Sequence, residues 1–405
     1  MQVVNERCCG LDVHQKTVVA CVITPEGKEV RTFGTMTTDL LALLDWVTAC
    51  RCTVVAMEST GVYWKPIDNL LESSELRLLV VNAQHMKAVP GRKTDVKDAE
   101  WITDLLRHGL LRPSFIPERP QRELQELVHY RRSLIAERSR EVNRIGKVLE
   151  GANIKLSSVI SDIVGTSGRA MLDALVRGEE DPVVLAEHRA RGLRATPEQL
   201  QAALHGVVGS HQRFMLTLEL EHIDALTTQL ARLDAEIDER LRPFAEAVER
   251  LDTIPGVGHR TAQEIVAAIG TDMSRFPSHR HLASWAKLCP GTHESAGKRQ
   301  PAGIGKGNPH LRSALIEAAK GAARTKDCYL AAQYHRLAAR RGGKRATVAL
   351  AHSILVIAYH LLKEGTTYTD LGHNYFDERD QDLVIRRAVK RIEQLGKQVT
   401  VHDAA

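Results

Sequence analysis

Apolar residues in the first quarter of the chain come in short runs separated by turn residues. RCCGLDVHQKTVVACVI (7–23) predicts two short strands or one bent strand. TPEGK (24–28) predicts a turn, and EVRTFGT (29–35) a further strand. TTDLLALLDWVTAC (37–50) has helical spacing, with Thr37 or Thr38 as the N-cap. TVVAME (53–58) and LRLLVVNA (76–83) predict strands. WKPIDNLLESS (64–74) and TDVKDAEWITDLLRHG (94–109) predict helices, the second closed by Gly109. Strands alternating with helices predict an α/β layer.

From residue 118 the period changes. ERPQRELQELVHYRRSLIAERSREVNRIGKVLE (118–150) predicts one long helix, with Leu124, Leu127, Leu134, Ile145 and Leu149 on one face. Arg119, Arg122, Arg131, Arg132, Arg138, Arg140, Arg144 and Lys147 crowd the rest of its surface. A helical middle follows, broken near 178–182 and 194–199. Leu216, Leu220, Ile223, Leu230, Leu233, Ile237, Leu241, Phe244, Val248 and Leu251 then step by threes, fours and a seven, which is coiled-coil spacing. Two partners fit that stripe: another protomer, which the reading favours, or a helix of the same chain in a hairpin. Residues 251–362 predict a compact helical domain, and 363–405 a tail with a charged helix over about 377–396.

Composition narrows the class. Hydrophobic residues make up 43% of the chain, which suits a globular protein. The net charge of +5 is too small to announce a nucleic-acid binder, so charge must be read locally. The seven cysteines are odd in number and form no Cys-x-x-Cys, which speaks against a disulfide framework or zinc ribbon and for a reducing cytoplasm. No signal peptide is read at the N-terminus. ATVALAHSILVIAYHLL (346–362) predicts a buried core helix and not a membrane span. The expectation is a soluble, cytoplasmic protein.

Four acids then change the picture. Asp12 lies in a strand pattern, where Asp is depleted, and Glu58 ends another. Asp95 and Asp98 share a helix face at i and i+3. Carboxylates from two strands and a helix can converge at one sheet edge, where mutual repulsion calls for a cation. Oxygen ligands suit Mg²⁺ or Mn²⁺, and two such ions can clamp a phosphodiester. In LDTIPGVGHRTAQEIVAAIG (251–270), Gly256 and Gly258 form a turn between two helices, as in a helix–hairpin–helix that offers backbone N–H groups to phosphate. LCPGTHESAGKRQPAGIGKGNPHLRSALIEAA (288–319) predicts a Gly-rich loop running into a helix capped by Asn308 with Pro309 first. Ser295 stands there near Lys298, Arg299, Lys306 and Arg312, and a second cluster holds Arg340, Arg341, Lys344 and Arg345. Local chemistry alone makes this a basic phosphate-binding loop.

The motifs GLDVHQK, AMESTGVYWKP, VVNAQHMKAVPGRKTDVKDAEWI, IPGVGHRTAQEI, ASWAKLCPGTHESAGKR and KGNPHLRSAL occur in one order. Together they resemble the DEDD transposases of the one-ten insertion-sequence family, also called bridge-RNA-guided serine recombinases. The resemblance covers residues 7 to about 362 and leaves 150–215 and the tail unmatched. It implies an RNase H-like (RuvC-like) α/β domain over 1–117. A long basic helix and coiled-coil connector over 118–250 and a mainly α-helical transposase domain over 251–362 would follow. It implies a metal-binding tetrad of Asp12, Glu58, Asp95 and Asp98 and a nucleophilic Ser295. The cofactors implied are Mg²⁺ or Mn²⁺ and a structured guide RNA. That bridge RNA and donor and target double-stranded DNA are the implied partners. The protomers would form a tetramer built from dimers, with no membrane partner. Nucleic-acid contacts are expected at Arg131, Arg132, Arg138, Gly256, Gly258, Lys298, Arg299, Lys306, Arg312, Lys344 and Arg345.

Two other readings stand beside this one: a metal-dependent RuvC-like junction endonuclease without serine chemistry, and a non-catalytic nucleic-acid scaffold. His14, His85 and His108 are read as exposed or core histidines. Tyr63 and Trp64 are read as packing residues, and Cys8 and Cys9 as small strand hydrophobes.

Overall fold

The computed structural model describes residues 2–59, 61–72, 74–81, 98–290, 293–295, 297–300, 303–305 and 307–402. The chain divides into two compact units, 1–119 and 120–405. A mixed sheet builds the first, and the second is mostly helical.

In the first unit, β1 (Cys8–Val13), β2 (Thr17–Thr24) and β3 (Gly27–Gly34) form an antiparallel meander. Helix α1 (Thr37–Ala49) leads to β4 (Val54–Glu58), and α2 (Trp64–Leu71) leads to β5 (Arg77–Val81). Both later strands run parallel to β1, giving the order β3-β2-β1-β4-β5. Strand alternation sorts the side chains onto two faces. Leu11, Val18, Val55, Met57 and Val80 pack under α1 and α2. Cys8, Cys21, Val54, Ala56 and Val81 pack under α3 (Asp98–Arg107) on the opposite face.

α3 lies close on β1. A Cβ at Gly10 would stand 2.4 Å from Thr103 Oγ1, 2.6 Å from Thr103 N and 2.7 Å from the Ala99 carbonyl oxygen. The Thr103 hydroxyl is buried and donates within the helix to the Ala99 carbonyl at 2.6 Å. The carbonyl of Arg107, at the other end of α3, accepts from Val4 and Asn5 at 2.9 and 3.0 Å. The helix therefore runs antiparallel to β1, with its N-terminus at the strand's C-terminal end. Gly109 has φ +67° and donates to the Leu106 carbonyl, while Leu110 donates to that of Leu105, the paired bonds of a Schellman cap. The cap expected for α1 is displaced by one residue. Thr37 is already helical, and Met36 is the N-cap, its N–H donating to the Asp39 carboxylate at 3.3 Å.

The second unit is built on two long helices, α4 (Arg119–Gly151) and α9 (Ser210–Leu241). Glu123 meets Arg240 at 3.1 Å, Arg131 meets Asp234 at 3.3 Å, and Arg138 meets Thr227 at 3.2 Å. Ile145 and Leu149 share a core with Leu216, Leu220 and Ile223. As numbers rise along α4 they fall along α9, so the pair is an antiparallel hairpin. Of the stripe expected to meet another protomer, Leu216, Leu220, Ile223, Ile237 and Leu241 are buried within the chain, whereas Leu230 and Leu233 are half-buried and Phe244 is 39% exposed. Pro243 interrupts the run in a 3₁₀ turn, Arg242–Phe244. Short helices α5 (Leu156–Val159), α6 (Thr166–Val176), α7 (Pro182–Glu187) and α8 (Pro197–Leu204) cover one end of the hairpin. Arg169 on α6 holds Asp224 on α9 through two bonds of 2.5 and 2.7 Å.

After α10 (Ala245–Asp252), α11 (His259–Ile269) and α12 (His279–Trp285) comes a two-stranded hairpin, β6 (His293–Ser295) and β7 (Lys298–Gln300). Helices α13 (Pro309–Ala322), α14 (Tyr329–Arg341) and α15 (Gly343–Glu364) follow. α15 packs against α10, α12, α13 and α14. Among the described helices it alone is long and apolar enough to cross a membrane, and half of its apolar window is buried by these neighbours. Helices α16 (Tyr375–Glu378) and α17 (Gln381–Glu393) end the described chain.

Two predictions follow from this packing. Gly10→Ala forces α3 off β1 and lowers stability by about 2 kcal/mol, read by urea or thermal unfolding. Gly146→Ala on α4, where nothing lies within 4 Å, changes stability in the opposite direction by about 0.5–1 kcal/mol. The second concerns Glu219 on α9, which is buried with Oε2 unpartnered. Burial, with Glu141 close by, pushes its carboxyl above the usual range. A raised folded-state value means that the acid form is favoured by folding, and that this stability is lost as pH rises through the folded value. Glu219→Gln should therefore raise the unfolding midpoint near pH 8. The gain should shrink toward about pH 4, where both carboxyl forms are protonated.

Candidate active site and nucleic-acid interface

Strand register assembles the acidic group. Leu11 pairs with Met57 across the parallel β1–β4 ladder, so the next residues, Asp12 and Glu58, stand side by side at the strands' C-terminal ends. Gly10 and Ala56 face α3, and alternation puts Asp12 and Glu58 on that same face. Asp98 is the first residue of α3, and the antiparallel course of that helix brings it to the same sheet end. A carboxylate in a first helical turn is stabilised by the helix dipole. Three of the four predicted acids thus lie at one end and on one face of the sheet, and Asp95 lies outside the described residues. Among the described residues no group of three His, Cys, Asp or Glu is close enough to hold a metal ion. The donor set fits a hard divalent cation in kind, since each of the three is an oxygen donor.

Asp12 is half-buried, and its Oδ2 lies 3.0 Å from His14 Nε2. Sequence reasoning set His14 aside as an ordinary histidine. Its position two residues along the strand from Asp12 was the one signal that could have joined them. Glu58 is half-buried and Asp98 exposed. Trp64 packs on the α1–α2 face, whereas Tyr63 is 40% exposed against the expected packing. His108 is bonded to the Asp104 carbonyl at 2.9 Å, and His85 lies outside the described residues. Cys8 and Cys9 are fully buried strand residues, and burial pushes the Cys8 thiol up to about 11, so neither is a ready nucleophile.

In the second unit the Gly-rich loop is in part a β-hairpin. Ser295 pairs with Lys298, and Gly297 between them has φ +73°. That conformation favours glycine and suits a two-residue hairpin connection. A bridge between Pro290 and Ile304 continues the antiparallel pairing. Asn308 caps α13 as expected, accepting from His310 and Leu311 at 3.0 and 3.2 Å, with Pro309 first. Lys298 is exposed. Arg312 turns back to the Gly305 carbonyl at 3.2 Å. Arg299 is on β7, and Lys306 lies outside the described residues.

The two glycines of the 253–258 turn play different parts. Gly256 has φ +83°, and a Cβ there would stand 2.2 Å from the Ala318 carbonyl and 2.3 Å from the Ala322 nitrogen. Close packing on α13 accounts for it. Gly258 is the N-cap of α11 and faces open space, leaving that helix N-terminus approachable.

The basic helix needs a correction. Arg131, expected at a nucleic-acid backbone, is only 2% exposed. Its Nη1 donates to Gln263 Oε1 at 2.7 Å and lies 3.3 Å from the Asp234 carboxylate. Gln263 in turn donates to Asp238 at 2.7 Å. A guanidinium enclosed in this way joins α4, α9 and α11 and cannot reach phosphate. Arg132 is ion-paired to Glu264 at 2.8 Å and Glu317 at 2.5 Å, and Arg138 is bonded to Thr227. Lys344 and Arg345, with Arg340 and Arg341, remain exposed at the α14–α15 turn.

Comparison with known proteins fits this division of the chain. A transposase family model for the IS110 DEDD type matches residues 9–154, and one for the IS116/IS110/IS902 transposase family matches 248–336. The first span holds these acids and the second holds Ser295. The transposase of insertion sequence element IS1111A from Coxiella burnetii is 27% identical, covering 89% of this chain and 90% of the relative. The pilin gene-inverting protein of Moraxella bovis is 25% identical over 76% of this chain and 80% of its own. An IS110 protein of Streptomyces coelicolor is 27% identical over 69% and 73%. With two models of one transposase family matched in chain order, and relatives of that kind along most of its length, the chain belongs to the IS110 family of DEDD transposases, which are DNA-processing enzymes.

Proposed function

We propose that this transposase exchanges donor and target DNA strands under the guidance of a structured bridge RNA, with Ser295 as nucleophile. The placement of Asp12, Glu58 and Asp98 at one end and face of the sheet carries the reading. The strand order β3-β2-β1-β4-β5, antiparallel and then parallel, supports an RNase H-like (RuvC-like) domain over 1–117. The connector is 118–250, the transposase domain with its helix–hairpin–helix is 251–362, and the tail is 363–405. Asp12, Glu58, Asp98 and Asp95 would hold Mg²⁺ or Mn²⁺, which supplies Lewis-acid stabilisation of charge on phosphate. His14 orients the Asp12 carboxylate.

The Ser295 hydroxyl gives up its proton as its oxygen attacks phosphorus. A bond forms from serine oxygen to phosphorus, the bond to the leaving sugar oxygen breaks, and that oxygen takes a proton. Attack by a sugar hydroxyl of the exchanged strand reverses the step and frees the serine. Cations beside the hairpin neutralise the non-bridging oxygens. The names of the Moraxella relatives favour exchange over simple hydrolysis, because inverting a gene requires rejoining the ends. The acting form is a tetramer built from dimers, working on DNA in the cytoplasm.

Ser295→Ala and Asp12→Ala should each reduce strand exchange by on the order of 10³-fold or more while leaving RNA binding intact. Wild-type protein should form a denaturation-resistant adduct with DNA that Ser295→Ala lacks. Chelation should abolish exchange, and added Mg²⁺ should restore it. Undiminished DNA cleavage by Ser295→Ala would instead establish the metal-dependent junction endonuclease.

Salt dependence separates the cations. Lys344→Ala and Arg345→Ala should each reduce the slope of log affinity against log salt by about 1. Arg131→Met, at an enclosed position, should leave the slope unchanged.

A further inference from the structure

A cavity of about 690 Å³ opens in the second unit, lined in part by Cys289 at the entry to the Ser295 loop, and the proposed reaction does not use it. Its floor is one face of α15: His352, Ser353, Val356, Ile357 and His360. All five are half-buried, while Ile354, Leu355, Ala358 and Tyr359 between them are buried. The core thus covers one side of this apolar helix and leaves the other to the cavity.

Two tyrosines contribute walls. Tyr329 begins α14, and Tyr368 lies in the segment after α15. Asp370 ties both down. It accepts from the Tyr329 backbone N–H at 3.0 Å and from the Tyr368 hydroxyl at 3.0 Å. Tyr368 N also donates to Thr253 Oγ1 at 3.0 Å. The Tyr368 ring, held through its own hydroxyl, is in place before a ligand arrives, while the Tyr329 ring is stacked on Phe376.

The polar atoms narrow the occupant. His279 and exposed Arg280 stand at the lining with His352, Ser353 and His360. Burial, with His279 close by, holds His352 below the usual imidazole range, so at neutral pH its ring has one donor and one acceptor. Among the described residues the histidines do not form a metal group. Ser353 already donates to the Ala349 carbonyl at 3.3 Å and accepts from Gln333 at 3.0 Å, and His360 Nδ1 pairs with Glu364 at 2.9 Å. An apolar partner helix laid on this floor would still cover the His352 ring and crowd Arg280 at the lining, which is costly. A flat ring with hydrogen-bonding edges and an attached anion fits better. The volume lies in the range of small-molecule sites. Arg345, seven residues before His352, lies on the same helix face roughly 10 Å away, so a cation marks the approach.

We propose that this cavity receives one unpaired nucleotide of the bound nucleic acid. Its base would stack on Tyr368, since Tyr329 is already stacked on Phe376, with its edge met by His352 and His279 and its phosphate by Arg280. This rests on the nucleic-acid-processing function for the class of ligand and on the cavity for the site.

The test uses the full chain and oligonucleotides carrying a single unpaired 2-aminopurine, made separately as DNA and as RNA. Wild-type protein should change the probe's fluorescence in at least one series, which identifies the strand concerned. Ile357→Trp, which fills the cavity, and Tyr368→Ala should each abolish the change and weaken binding of that oligonucleotide by about tenfold or more. Tyr368→Phe, which keeps the ring, should retain the response, and fully paired duplex should bind all variants alike. An unaltered response in Ile357→Trp overturns the pocket while leaving the wider function standing. A shift in oligomeric state of Ile357→Trp with base binding intact also overturns it, in favour of a second copy as occupant. Failure of wild-type protein to bind any oligonucleotide overturns the functional reading and the pocket together.

Discussion

The acidic site depends on how closely α3 can approach β1. At Gly10 the helix backbone stands where a side chain would otherwise be. That approach, with the antiparallel course of the helix, brings Asp98 to the strand end that holds Asp12. The parallel β1–β4 register adds Glu58 beside it. Each carboxylate thus comes from a different element. Their positions are set by backbone pairing and one close helix–strand contact, and not by flexible loops.

The same economy of position governs charge in the second unit. A long helix with eight cations reads as a surface for polyanions, yet its central arginine is enclosed. Arg131 is held by Asp234 and Gln263, more than a hundred residues away in sequence. Enclosing a guanidinium is costly unless carboxylate and amide partners surround it, and here α9 and α11 supply them. One of its nitrogens, Nη2, still has no partner, so the network specifies which helices pair more than it adds stability. Arg340, Arg341, Lys344 and Arg345 at the α14–α15 turn are instead exposed to solvent. They are better placed to meet phosphate.

Much of the first unit was legible because strand and helix periods alternate cleanly and each run is bounded by turn residues. The Asp12 strand, the Glu58 strand end, the Gly109 cap and the Asn308 cap could each be read from nearest neighbours. Other features were hidden because they depend on distant partners. The stripe from Leu216 to Leu251 announces that a helix face is buried but not by what. Only the matching contacts along α4 show that part of this face is covered by the same chain. The α1 cap shifted because the Asp39 carboxylate reaches back to Met36, a local bond that competes with the threonine rule. The strand pairing of Ser295 was masked by a run of glycines that reads as irregular loop. The proposal that it is a nucleophile came from resemblance alone.

α15 shows why apolarity by itself is ambiguous. Its length and mean hydropathy would suit a membrane span, yet the rest of the protein buries only half of that window. The remaining face carries histidines and a serine at helical spacing among aliphatic residues. A lipid-facing surface would exclude those groups, and a dry protein contact would have to pair every one of them. A face that mixes aliphatic floor with ring nitrogens suits a ligand that is itself both flat and polar. The tail from Thr367 to Leu371 then has a physical reason to fold back over the helix, because it closes the side of the cavity that the core leaves open.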